Sequence, residues 1–203
     1  IQSPAATSFD SNADLMVSKV VATDAQPTTA QQVQFTRVAA VVKMTLKNFS
    51  KELGDEVEQV IFTADGKSLA GTITANLNAP HEFTVKEGVS SVSVATTSAS
   101  DVYFTVLPTT LEAGDSYTIT IITNKKIYLK QGTIPEDKSL TFEAGMVNRF
   151  GVNMMGVAAS EKWILVKDAS TLKEGDIVTI AAKHYNVVIG KQSTYYPMAS
   201  QTE

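Results

Sequence analysis

Along residues 33–48 (VQFTRVAAVVKMTLKN) apolar and polar side chains alternate, and this period of two constrains the chain more than any other feature. Val38, Ala40, Val42, Met44 and Leu46 fall on one side; Arg37, Lys43, Thr45 and Lys47 fall on the other. Successive side chains of a strand point to opposite faces, so the pattern describes a long strand with one face buried. Phe35 and Val41 add apolar contact on the wetter side. The run is longer than the roughly 3–10 residues of an ordinary strand, and a bulge or bend is expected near Ala39-Ala40.

Residues 102–124 (VYFTVLPTTLEAGDSYTITIITN) and 140–154 (LTFEAGMVNRFGVNM) carry the same extended character. Short strands are also expected at 15–22, 57–64, 69–77, 91–96 and 126–131, with Gly, Pro, Asp and Asn turns between them. Regularly spaced short strands of this kind give an all-β fold, here an antiparallel β-sandwich. Asp65-Gly66 supplies the positive φ of a tight turn, so 57–64 and 69–77 are expected to pair as a hairpin. Residues 50–58 (SKELGDEVE) have some helical flavour, but Gly54 limits them to a single turn.

The chain has 203 residues, enough for a substantial core. Small residues interrupt the strand pattern at 156–162 and place a boundary there. The expected organisation is a sandwich domain over 1–158, with an N-terminal linker, and the start of a second β module over 159–203. That tail is close to the lower size limit for a core of its own, and is expected to be truncated. The chain opens at Ile1-Gln2-Ser3-Pro4, with neither an initiator Met nor a signal peptide, which suggests a processed or trimmed form.

Chemistry is sparse. The net charge is −4 and basic residues do not cluster beyond Lys125-Lys126, which argues against a nucleic-acid partner. Without cysteine there is no thiolate, disulfide or cysteine metal site. His81, expected in a loop, and His184, at a turn, lack neighbours suited to zinc. No Gly-x-Ser-x-Gly elbow raises the odds of a catalytic triad. Gly66-Lys67-Ser68 lacks the upstream glycine of a phosphate loop, because Ile61 stands there. Glu112–Asp115 and Glu174–Asp176 read as solvated acidic turns rather than calcium loops. Asp55, Glu56 and Glu58 cluster on a polar turn with no aromatic platform, and Asn48-Phe49-Ser50 fits a glycosylation sequon formally. Trp163, Tyr185, Tyr195 and Tyr196 are the aromatic concentration able to stack on a sugar, although a lone tryptophan opening a strand is more often core. No catalytic, cofactor or metal residue is assigned, and the chain is read as non-enzymatic.

Asp14-Leu15-Met16-Val17, Phe35 through Val42, the Leu-Pro and Gly-Asp-Ser-Tyr-Thr-Ile-Thr-Ile stretches, and Phe142 through Val147 together resemble the fimbrillin-like, type V pilin-like surface proteins of Bacteroidia. The resemblance covers roughly residues 10–155 and looks like the second of that family's two sandwich halves. It implies a transthyretin-like or Greek-key sandwich, export to the bacterial cell surface and proteolytic trimming. It further implies assembly into a pilus, or a tip or anchor role, by strand donation between subunits. Partners would then be other pilin-like subunits or surface proteins. The family's lipid-bearing cysteine has no counterpart here, so membrane attachment is expected only through an anchor outside this chain. Segments 15–22 and 146–154, at the two ends of the domain, are the expected exchanged or edge elements. The first alternative is a surface glycan-binding module that uses Trp163 and the tyrosines, and the second is an enzyme with an unrecognised site.

Overall fold

The computed structural model describes side chains for residues 1–4, 8–19, 30, 32–79 and 82–160, and backbone alone for 80–81, 161, 177–180 and 185–188. The chain forms two compact units, Ile1–Ser160 and Glu161–Glu203. It is an all-β protein of sandwich type, without an α-helix among the described residues. One short 3-10 turn, Ser11–Ala13, is capped by Asp10.

In the first unit the strands are β1 (Met16–Ser18), β2 (Phe35–Arg37), β3 (Ala40–Lys47), β4 (Val57–Ala64), β5 (Ala70–Asn76), β6 (Ala79–Val89) and β7 (Ser91–Ala95). They continue with β8 (Asp101–Val106), β9 (Thr109–Leu111), β10 (Ser116–Thr123), β11 (Lys126–Thr133), β12 (Leu140–Phe142), β13 (Val147–Asn153) and β14 (Ala159–Glu161). A five-stranded sheet runs β14-β11-β10-β4-β7, and a three-stranded sheet runs β13-β3-β8. Three two-stranded pieces, β12-β9, β5-β6 and β1-β2, complete the unit. The second unit contributes the antiparallel pair β15 (Ile177–Ile180) and β16 (Tyr185–Val188).

The core lies between the two larger sheets. Ala40, Val42, Met44 and Leu46 of β3, with Val102, Phe104 and Val106 of β8, pack against Val60 and Phe62 of β4 and Ile119 and Ile121 of β10. Phe62 is fully buried and is ringed by Phe104, Tyr117, Phe142 and Phe150 at centroid separations of 5.5–6.3 Å. These distances suit tilted and edge-on aromatic pairs. Alternation in β3 and β8 sends one residue in two into the core, although Val41, expected on the wetter side, is itself buried at 2% exposure.

Three expectations need correction. The run 33–48 is two strands rather than one bent strand: β2 and β3 are separated at Val38-Ala39 because the backbone changes partners there. The Val38 N–H donates to the Leu15 carbonyl, whereas the Ala39 carbonyl accepts from Gly145. Next, β4 and β5 do not pair as a hairpin. Gly66 has the expected positive φ of 71°, but buried Leu69 then bonds to Val89 and Leu107. β4 pairs with β7 and β10, and β5 turns away to pair with β6. His81, expected in a loop, lies within β6. A parallel pair stands among the antiparallel ones: β13 runs alongside β3 in the same direction, from Val147 opposite Val41 to Asn153 opposite Lys47.

Candidate functional site

The described unit is organised around strand edges rather than a cleft. At one edge, residue 2 joins the two sheets. The Gln2 backbone N–H donates to Ser93 O at 2.8 Å and its carbonyl accepts from Ala95 N at 2.8 Å, so it bridges to β7. Its side chain reaches the other sheet: Nε2 donates to Thr105 O at 2.7 Å, and Oε1 accepts from Thr105 N at 2.8 Å. A primary carboxamide carries one acceptor and one donor face, so it satisfies a strand residue's two backbone groups as a neighbouring strand would. At Thr105, then, the free edge of β8 is closed by a side chain.

The following segment stays outside both larger sheets. Asp10 accepts hydrogen bonds from the Ser3 and Asn12 N–H groups, each at 2.9 Å, and these hold its carboxyl below the ordinary aspartate range. The Ala13 carbonyl accepts from Thr105 Oγ1 at 3.1 Å. β1 pairs with β2 alone, Met16 opposite Arg37 and Ser18 opposite Phe35. Arg37 Nε donates to both carboxylate oxygens of Asp14, at 2.7 and 2.9 Å, and its guanidinium lies 5.6 Å from the centre of the Phe9 ring. A groove of about 240 Å³ runs beside this segment, with Leu15, Ala39, Leu69, Ile73 and Leu107 in its walls.

The opposite edge of the three-stranded sheet is β13, which has β3 on one side and no described strand on the other. Its start is held by Asn148, whose amide donates to Val41 O at 3.1 Å while its oxygen accepts from Glu143 N at 3.0 Å. Val147 and Met146 are more than half exposed beside it. Both segments that sequence singled out at the ends of the domain are thus peripheral: β1 in a separate ribbon and β13 at an edge. Residues 20–22 of the first lie outside the described residues.

The outward face of this sheet carries paired charges. Lys43 Nζ lies 2.8 Å from Asp101 Oδ2 and 5.5 Å from the centre of the Tyr103 ring, and Thr45 Oγ1 donates to Asp101 at 2.7 Å. The bond to Asp101, reinforced by Tyr103, raises the Lys43 pKa; the bond from Lys43, then that from Thr45, lowers that of Asp101.

One group that sequence placed on a solvated turn is buried. Asp55 is 1% exposed, and its Oδ2 accepts from Tyr128 Oη at 2.9 Å and from Thr123 Oγ1 at 3.3 Å. Tyr128 Oη in turn accepts from the Glu52 N–H at 2.8 Å. Burial raises the Tyr128 pKa, and the Asp55 carboxylate adds to that rise. Asp55 thus pins the loop 48–56 rather than joining Glu56 and Glu58 in an acidic cluster. The loop is a turn without a helix, closed by Asp55 N–H to Glu52 O at 3.1 Å.

The other motifs are placed as follows. Lys67 of the Gly-Lys-Ser turn pairs with Asp115 at 2.7 Å, and Asp115 also accepts from Glu112 N, so the turns 65–68 and 112–115 satisfy one another. Asn48 sits at φ 56° and its side-chain amide donates to Asn153. Trp163, Tyr195, Tyr196, His184 and the turn 174–176 lie outside the described residues. Tyr185 opens β16, where backbone alone is described. Among the described residues no group of three or more His, Cys, Asp or Glu side chains is placed to hold a metal ion, and no helix is long and apolar enough to cross a membrane. In comparisons with known proteins, no family profile and no curated protein matches the chain.

Proposed function

We propose that this chain is a fimbrillin-like cell-surface protein, a pilus subunit or a tip or anchor component, that acts through protein contacts and strand donation. The observation that carries the reading is the arrangement of the first 37 residues. The described residues among them supply no strand to either larger sheet, and at Thr105 they close the β8 edge with the Gln2 carboxamide instead of a paired strand. Unpaired strand edges beside an apolar groove accept a strand from a neighbouring chain, and head-to-tail repetition of such a contact gives a filament. On this reading the segment is a removable cover, and its loss exposes the β8 edge and the groove beside it.

Lys19 and Arg37 are the basic residues ahead of Lys43. Lys19 is exposed, whereas Arg37 is held by Asp14. Limited trypsin digestion followed by light scattering tests the reading. Cleavage after Lys19 or Arg37, read from the new N-terminus, is expected to yield particles much heavier than the intact chain. A cleaved product that remains monomeric at high concentration would refute strand donation.

A further inference from the structure

The strands β3, β8 and β13 hold three cationic side chains, Lys43, Lys47 and Arg149, and one carboxylate, Asp101. Alternation sends all four to the outward face, because Val42, Met44, Leu46, Val102, Phe104 and Val152 occupy the inward one. Register then gathers them. Arg149 stands opposite Lys43 in the parallel pair, and Lys43 stands opposite Tyr103 in the antiparallel pair. Arg149, Lys43 and Tyr103 therefore form one row across the sheet, with neighbours about 4.8 Å apart at the backbone.

Lys47 would stand about 13 Å along the strand from Lys43, at roughly 3.3 Å per residue, but it does not point away. Its side chain folds back over Gly151, where a Cβ would lie 2.6 Å from Lys47 Cε and 3.1 Å from Nζ. Gly151 is two residues from Arg149 on β13, so the missing side chain lets the third cation turn toward the other two. Lys43 is the one of the three in contact with an acid among the described residues; Asp101 also feels the Arg149 charge at longer range, and Lys47 has no ion pair there. Three like charges drawn to one outward face repel one another, and an anion laid across them relieves that cost.

We propose that this face binds a linear acidic polysaccharide, with Arg149, Lys43 and Lys47 meeting its carboxylate or sulfate groups. Tyr103 stacks on a sugar ring, and Thr45 and Asn153 hydrogen-bond its hydroxyls. The site uses outward side chains of β3, β8 and β13, whereas assembly uses the backbone groups at the β8 edge, so the two engage different groups of the same sheet. A partly exposed sheet face favours an extended chain over a small anion, which needs a concavity of converging N–H donors. A net two positive charges on a chain of −4 falls short of the phosphate neutralisation that nucleic-acid binding draws on. Acidic glycans combine sparse charge with apolar ring faces and hydroxyls, the three features this face complements.

The test is retention of the full chain on immobilised sulfated dextran, compared with unmodified dextran, across a salt series. The double variant Lys47→Glu/Arg149→Glu is compared with Lys130→Glu/Lys138→Glu, which makes the same change in charge away from the face. Wild type is expected to bind the sulfated polymer alone. The face variant is expected to bind about tenfold more weakly, with the salt slope reduced by about two, one for each lost contact. The control variant changes by less than twofold. Equal weakening in both variants, equal retention on unmodified dextran, or no retention of wild type overturns the proposal. So does self-association in sedimentation that the face variant abolishes, because that assigns the face to a second copy. Matching thermal unfolding of the variants guards against misfolding, and Arg149→Gln supplies a milder version of the same comparison.

Discussion

Tyr128→Phe isolates a buried polar link without disturbing the packing around it. The ring stays edge-on to Phe49, at a centroid distance of 5.1 Å and an interplanar angle of 89°, so only the hydroxyl is lost. Two bonds vanish with it: the one it donates to Asp55 Oδ2 and the one it accepts from the Glu52 N–H. Asp55 is 1% exposed and Tyr128 2%, so water has little room to replace either. A hydrogen bond to a buried charged group contributes about 1.5–3 kcal/mol and a neutral one about 1 kcal/mol. The expected loss is about 3 kcal/mol. With a urea m-value near 2 kcal/mol/M this lowers the midpoint by about 1.5 M at unchanged m. Circular dichroism is the suitable probe, because the only tryptophan, Trp163, belongs to the other unit. A double-mutant cycle with Asp55→Asn should show coupling of about 1 kcal/mol or more. A loss below about 1 kcal/mol would mean that water satisfies the carboxylate and the N–H, and that the link does not pin the loop.

Two further predictions concern packing and pH. Gly132 lies opposite Tyr117 across β10 and β11, and a Cβ there would overlap the Tyr117 ring. An aromatic laid over a cross-strand glycine supports a sheet at that point. Gly132→Val is therefore expected to displace the ring and cost about 1–3 kcal/mol by overpacking, read as a lower Tm; a Tm equal to wild type would refute the contact. Asp10, Asp101 and Asp115 have pKa values lowered by hydrogen bonds from Ser3 and Asn12, from Lys43, and from Lys67 respectively. Their stabilisation is present above the unfolded value and disappears as pH falls through the lowered native values. Tm should therefore stay level from neutral pH to about 5 and fall below about 4, and Lys67→Met should flatten that fall. A decline beginning near pH 6 would point to a different group.

How much of this was legible beforehand depended on range. β3 was readable because its signal is local: alternate residues differ in polarity, and the buried set Ala40, Val42, Met44 and Leu46 is the one the pattern picks out. The turn at Gly66 was equally local. The partners of β4 and β5 were not, because the choice between a hairpin and a crossover turns on where buried Leu69 finds its bonds, and Leu107 lies far along the chain. β6 escaped notice because its outward positions are mostly polar and Pro80 interrupts the reading. Asp55 sat among acids and looked solvated; its partners Thr123 and Tyr128 stand 68 and 73 residues away. Lys43 and Lys47 were assigned to the wet face of β3 correctly, yet their convergence with Arg149 needs the parallel register that brings β13 alongside.

That parallel register also sets an order of events during synthesis. Asn148 and the Val41 carbonyl it holds are separated by 107 residues, so the β3 edge is made early and must wait for nearly the whole unit to emerge. Contacts of such long sequence separation form late and slow folding, since the chain entropy of closing the loop is lost before the pairing returns anything. During that interval β3 presents an open apolar margin to whatever extended peptide is nearby, which makes it the stretch most exposed to mispairing or to a chaperone. Synthesis rate and temperature should therefore affect the yield of folded protein more than the final stability suggests.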